Sequence, residues 1–298
     1  MKTFLQLLVS GVALGALYAL VALGFTVIYR ASHVINFAQG GLLALGAFFT
    51  SDFVLVHGLP FWLAFLISAG ISAVVALLFQ VLILRFAVGQ PDFSIVMLTL
   101  GLAAILGAVI PAAFGPSQRP NGDPWGSSTV HVGGLTLTEV SLWSIGAAIV
   151  VLGLFFAFNR FSRYGLAMRA AAIDPEAALS VGIPLRRVYG IAWALAGMLA
   201  CIGGVFLGGF PNSVDPTIGN FALLAFPAII LGGIDSIAGA IVGGFIIGIV
   251  QVLVGGYQEQ YASWLGHNFN DVAPYIVMIL VLLIRPYGLF GSRPAERI

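Results

Sequence analysis

Apolar residues run through this chain in long unbroken blocks. They lack both the strict alternation of half-buried strands and the one-sided stripe of a surface helix. The first block, Phe4 to Tyr29, holds no charge in 26 residues. At about 1.5 Å per helical residue it exceeds the roughly 30 Å of a bilayer's hydrocarbon core. Lys2 ahead of it resembles the start of a secretory signal, but such apolar regions run to about 7–15 residues. The block is therefore expected to stay as a first transmembrane helix. Further blocks at 33–56, 61–84, 93–114, 140–158, 188–210, 217–234, 237–254 and 272–284 bring the expected segments to nine. Lipid-facing barrel strands alternate in polarity, so these runs predict helices. The predicted fold is all-α: a polytopic transmembrane bundle of about eight to nine segments, in one domain over residues 1–298. Two segments are irregular: 33–56 carries Asn36 and Gln39, and 217–234 carries Asn220 and Pro227. If either turned back within the membrane, the parity of the count would change.

Composition strengthens this reading. Hydrophobic residues make up 60% of the chain and charged residues only 8%, with mean hydropathy +1.08. A water-facing surface needs roughly 25% charged residues, so the outside of this bundle must face lipid. The net charge of +1 excludes nucleic acid as a partner, which would require a basic stripe. The single Cys201 lies in an apolar run and reads as a packing residue.

Charge placement predicts orientation, because basic residues concentrate in cytoplasmic loops. Arg160, Arg163, Arg169, Arg186 and Arg187 share the polar stretch 159–187. Alternating outward from it places Arg30, Arg85, Arg285, Arg293 and Arg297 on the same side, ten residues against Lys2 and Arg119 on the other. The expected topology puts the N-terminus, 115–139, 211–216 and 255–271 outside, and 159–187 and 285–298 inside. The 38 glycines often stand four apart, as at Gly11/Gly15, Gly204/Gly208, Gly239/Gly243 and Gly244/Gly248. In lipid this spacing lets helix backbones approach closely.

Catalytic chemistry finds no support. His33, His57, His131 and His267 are scattered without metal-ligand spacing, there is no GxSxG elbow, and carboxylates do not cluster. No metal or cofactor is expected, and the chain reads as a transport subunit, not an enzyme. A nucleotide-binding P-loop requires a lysine after its glycines, and Lys2 is the only lysine. Ion-coupled carriers place ionisable groups inside the membrane. Here Asp52 and Asp235 lie near segment ends, and Asp92, Asp123, Asp174, Asp215 and Asp271 lie in or beside loops. Transport would then be passive or driven by partners.

The stretch 159–187 holds a capped short helix. Asp174 is a good N-cap, Pro175 suits the first helical position and Glu176 the positive helix end. Ala177, Ala178, Leu179 and Ser180 propagate it until Gly182 ends it, with Pro184 beyond. A helix with a small-residue face, Ala177 and Ala178 outward, suits docking into a groove on another protein. A surface helix held at the membrane by its flanking arginines fits the same residues.

Glu176-Ala177-Ala178 followed by Gly182 resembles the EAA loop of ATP-binding-cassette importer permeases, although the usual I-x-L-P tail is missing. The wider pattern, from Arg169 and Asp174 through Gly182-Ile183 to Arg187-Val188, resembles the branched-chain amino acid permease family. So do Ala19–Tyr29, Val34-Ile-Asn36-Phe-Ala-Gln39-Gly40, Leu231–Gly244 and Arg285-Pro286-x-Gly288-Leu-Phe-Gly291. Gln39 stands where that family often has histidine, and Gly41 where it often has an acidic residue. The resemblance implies a permease subunit of the bacterial inner membrane. Its implied partners are a second homologous permease, two cytoplasmic ATP-binding subunits and an extracytoplasmic substrate-binding protein. Asp174, Glu176, Ala177, Ala178 and Gly182 would couple to the ATPase. The implied cargo is a branched-chain or other hydrophobic amino acid. Urea or short-amide import, an ion-coupled carrier and a non-transporting scaffold remain as alternatives.

The path itself is expected where helices are interrupted, because freed backbone can line a cavity but cannot face lipid. That singles out Asn36, Gln39, Gly40, Gly41 and Asn220. Asn36 and Gln39 share a face if helical, and the cargo's side chain would pass Phe37 and Leu42. Interhelical hydrogen bonding by Asn36 and Gln39 is the competing reading.

Overall fold

The computed structural model describes residues 2–87, 90–132, 135–209, 213–261, 264 and 268–291. The positions of His267, Arg293 and Arg297, and of 211–212 in the expected outer loop, lie outside the described residues.

Helices α1 (Lys2–Ser32), α2 (Gln39–Leu55), α3 (Phe61–Leu82), α4 (Asp92–Phe114) and α5 (Glu139–Phe161) come first. A short hairpin, β1 (Thr129–Val132) and β2 (Leu135–Thr138), precedes α5, with Thr129 opposite Thr138. Then follow α6 (Arg163–Ile173), α7 (Pro175–Ser180), α8 (Leu185–Leu207), α9 (Phe221–Leu224), α10 (Phe226–Gly232), α11 (Ile237–Tyr261) and α12 (Phe269–Ile284). Among the described residues, six helical stretches are long and apolar enough to cross a membrane; 39–55, 218–232 and 269–284 are shorter apolar helical stretches. Together they account for the nine expected segments.

Two of those segments are not continuous helices. α1 ends where His33 takes a positive φ of 54°, and 33–38 is non-helical, so α2 begins only at Gln39. Segment 217–234 is split into a 3-10 turn (Ile218–Asn220), α9 and α10. Asp215 Oδ1 accepts from the Thr217 amide and hydroxyl, both at 2.6 Å. Pro227 sits in the first turn of α10. These features start new turns and do not prolong one helix.

Contacts define two ends of the bundle. At one, Leu289 N donates to Leu231 O (2.8 Å), Gly233 packs on Gly291, and Arg169 bonds to Asn159 O. Arg30, Arg85, Arg160, Arg163, Arg186, Arg187 and Arg285 belong to this end by the same helix alternation. At the other, Arg119 pairs with Asp52 (3.4 Å) and bridges to Val214, and Gln6 Nε2 bonds to Thr136 O. Trp62, Trp125 and Trp143 cluster there with Phe61 and Phe206, as aromatic belts do at membrane interfaces. Of the interrupted segments, 33–56 ends near the Arg119–Asp52 pair, and 217–234 runs from beside Val214 to Gly233, which packs on Gly291. The arginine-bearing end is called inner below, by the positive-inside bias.

Glycine sets the tightest seams. α1 and α11 run antiparallel, and a Cβ on Gly15 would lie 2.7 Å from Phe245 Cα, one on Gly244 2.5 Å from Ala19 N. Only hydrogen at these positions allows the backbones so close, which replaces the hydrophobic force that helices lack in lipid.

Candidate functional site

The interrupted segments meet. A cavity of about 290 Å³ lies between α2, α4 and the 216–226 stretch. Gly40, Gly41 and Ala44 form one wall, Leu100, Ala103 and Gly107 of α4 another, and Gly219, Asn220 and Leu223 the third. Asn220, Gly107 and Leu223 are exposed, so the cavity is a cleft open on the side of the bundle. Ile110, Pro111 and Pro216 mark its outer end. Its inner end is closed by aromatic rings. Phe226 meets Phe25 edge-on at 5.9 Å and stacks with Phe37 at 6.0 Å. α2 and the 3-10 turn touch backbone to backbone, since a Cβ on Gly219 would lie 2.8 Å from Gly40 O.

Of the path residues read from the sequence, Gly40, Gly41, Asn220 and Phe37 line this cleft. Asn36 and Gln39 lie behind it, fully buried. Asn36 Oδ1 accepts from Ala38 N (3.0 Å), and Asn36 Nδ2 donates to Gln39 Oε1 (3.1 Å). Gln39 Nε2 then donates to Ala196 O on α8 at 3.2 Å. The two side chains meet through a turn ahead of α2, not along a shared helix face. Their visible work is to hold the non-helical strap 33–38 against α8. Leu42, expected beside the cargo, is buried in the core.

Sequence reasoning missed Thr99. Its Oγ1 accepts from Phe37 N at 3.2 Å, satisfying strap backbone from the α4 side. A lone hydroxyl in the apolar run Ile95–Leu102 was the available signal. It also missed Phe25 and Phe226 as the closing rings, because nothing local distinguishes them from other core phenylalanines.

At the inner end, α7 forms as its residues dictate. Asp174 Oδ1 accepts from Glu176 N (2.9 Å) and Ala177 N (3.0 Å). Gly182, with φ +85°, ends the helix: its N–H bonds to Leu179 O, and Ile183 N bonds to Ala178 O. That is a Schellman turn, which requires the left-handed conformation glycine tolerates. Ala177 faces outward, but Ala178 is buried within the loop at 3% exposure, so the two do not share an outward face. The surface is apolar instead through Ile173, Leu179 and Val181, exposed by 86%, 56% and 76%.

The profile of the family described as "Branched-chain amino acid transport system / permease component" matches residues 7–282. The chain is 32% identical to the high-affinity branched-chain amino acid transport system permease protein LivH of Escherichia coli strain K12, over 99% of this chain and 98% of that one. It is 29% identical to BraD of Pseudomonas aeruginosa, with the same two coverages. The permease protein LivM of E. coli K12 is 26% identical over 93% of this chain and 69% of its own length. Among solved structures, PsaBC from Streptococcus pneumoniae in complex with Fab aligns with a TM-score of 0.51 at 13% identity, over 95% of this chain and 92% of that one, a likeness of fold. With the family profile spanning nearly all the helices and a relative above 30% identity along the full length, this multi-pass membrane chain belongs to the permease components of branched-chain amino acid transport systems.

Proposed function

We propose that this chain is a permease subunit of an ATP-driven importer for branched-chain or other hydrophobic amino acids, with the cleft as its share of the path. The observation that carries the reading is the cleft's composition. Three phenylalanine rings and small aliphatic walls suit an apolar side chain, while Asn220 and the first turn of α2 supply polar partners. The first amides of a helix lack intrahelical acceptors and carry the positive end of its dipole. Gly40 and Gly41 bare that turn, where an amino acid's carboxylate would sit, as at other half-helix sites. Asn36, Gln39 and Thr99 act by holding the strap that positions this turn.

Two such chains are needed, because the cleft is open on its side and a second homologous permease would close it. The relatives named LivH and LivM in one organism support a pair of permeases. The inner loop, Asp174 to Gly182, would couple to ATP-binding subunits, with exposed Ile173, Leu179 and Val181 entering their groove. Apolar side chains so exposed beyond the bilayer mark a protein contact. An extracytoplasmic binding protein would deliver cargo at the opposite end.

The test is uptake by vesicles holding the chain with the subunits that accompany it in mild detergent. Leucine uptake is expected to follow ATP hydrolysis and to be competed by valine and isoleucine. Uptake driven by a proton or sodium gradient without ATP would overturn the coupling. Competition by urea, without competition by isoleucine, would overturn the cargo.

A further inference from the structure

A second cavity, of about 510 Å³, opens at the inner end between the close of α3 and the start of α8, and shares no residue with the cleft. It gathers Arg85, which follows α3, with Arg186 and Arg187 in the first turn of α8. No lining residue is acidic, and neither the Arg119–Asp52 pair nor the His57–Asp52 pair involves these arginines. Two polar atoms are left buried without partners here: Arg85 Nε and Gln80 Oε1, the latter on a side chain only 4% exposed. Such groups are costly to leave unmade. The start of α8 adds the positive end of its dipole, and its N-cap, Pro184, offers no side-chain acceptor. Tyr164 adds an aromatic ring with a polar hydroxyl, and Leu77, Val81 and Ile191 make an apolar wall. It continues onto exposed Leu82 and Phe86, the ring of Phe86 lying 4.4 Å beneath the Arg85 guanidinium.

The occupant must therefore carry an anion for the guanidinium groups, a hydroxyl to donate to Gln80 Oε1, and acyl chains for the apolar wall. It must also enter from the membrane at headgroup depth. A zwitterionic ethanolamine or choline headgroup would place its own cation among three arginines. The geometry points to a binding site for one anionic phospholipid with a hydroxylated headgroup, of the phosphatidylglycerol class, on the inner leaflet. Basic pockets between transmembrane helices on the cytoplasmic side have this chemistry in general.

The experiment uses the full chain with its accompanying subunits in phosphatidylcholine nanodiscs. These are doped with a photoactivatable phosphatidylglycerol or, separately, a photoactivatable phosphatidylcholine. Crosslinks are expected in peptides spanning 77–86 and 184–191, at least about ten-fold more with the glycerol probe. They should be competed by unlabelled phosphatidylglycerol and indifferent to millimolar inorganic phosphate. Arg85→Gln, Arg186→Gln and Arg187→Gln should each lower labelling about five-fold, the equivalent of about 1 kcal/mol per basic residue. Gln80→Leu should narrow the preference over phosphatidic acid, which lacks the hydroxylated headgroup. Equal labelling by both probes, or labelling unchanged in the arginine variants, overturns the site. Competition by inorganic phosphate assigns it to a free anion and overturns the lipid. Failure of the arginine variants to fold would show as lost monodispersity, and lipid competition on the wild-type chain then decides alone.

Discussion

Alanine at Gly40 and at Gly41 separates the cleft's two kinds of wall. A Cβ on Gly40 would overlap the carbonyl oxygen of Gly219 and stand 3.3 Å from Ala222 Cβ. The clashing atom is backbone, fixed by the 3-10 turn, so α2 and the 216–226 stretch must move apart together. A Cβ on Gly41 meets Leu106 Cδ1 at 2.8 Å and Cβ at 3.0 Å. The Leu106 tip can rotate, so part of that clash is relieved. Both substitutions gain up to about 1 kcal/mol from helix propensity. Overpacking costs about 1–3 kcal/mol, toward the upper end where backbone is struck. Gly40→Ala is therefore expected to lose about 1–2 kcal/mol net, and Gly41→Ala to stay within about 1 kcal/mol of wild type. Thermal unfolding of detergent-purified protein, followed by monodispersity on size exclusion, measures the order. Leucine uptake should fall with Gly40→Ala even below its melting temperature, because the cleft is forced open. If Gly40→Ala proves as stable and active as Gly41→Ala, the α2 contact with the 3-10 turn is not the one described.

Asn36→Leu should destabilise more than Gln39→Leu. It strands two buried groups, Ala38 N and Gln39 Oε1, each worth about 1–3 kcal/mol, whereas Gln39→Leu strands Asn36 Nδ2 alone, because Ala196 O keeps its helical partner. Melting temperatures in the reverse order would refute the strap's bonding scheme. Ala178→Asp should lower expression and melting temperature by burying an unpaired charge. Ala177→Asp should leave folding intact and impair only ATPase association, read by co-purification. Asp123, in the outer loop, has its pKa raised, chiefly by burial. The folded state then binds a proton more readily than the unfolded one. Stability should thus decline as pH rises from the ordinary value of 3.8 through the raised one. Asp123→Asn should flatten that slope in melts taken at rising pH from 3.8 upward.

Features that depend on neighbours along the chain were legible from residue order. Unbroken apolar blocks specify membrane helices because only helices satisfy their backbone within one segment. Asp174, Pro175 and Gly182 specify α7 and its end, since a cap and a left-handed glycine bracket a helix of only six residues. The polar and proline residues of 33–56 and 217–234 marked interruption, and the arginines marked one end. What those signals face depends on how the helices pack. Whether Asn36 lines a path or holds a strap depends on Ala196 in another helix, 157 residues beyond Gln39. That Ala178 turns inward while Ala177 turns outward depends on how the loop folds against itself. Helical spacing cannot tell which of two adjacent small residues faces a partner. Arg85 and Arg186 stand 101 residues apart, and only the packing of α3 on α8 makes one basic pocket of them. Such contacts leave no local pattern, because their free energy is set by the distance between surfaces and not by separation along the chain.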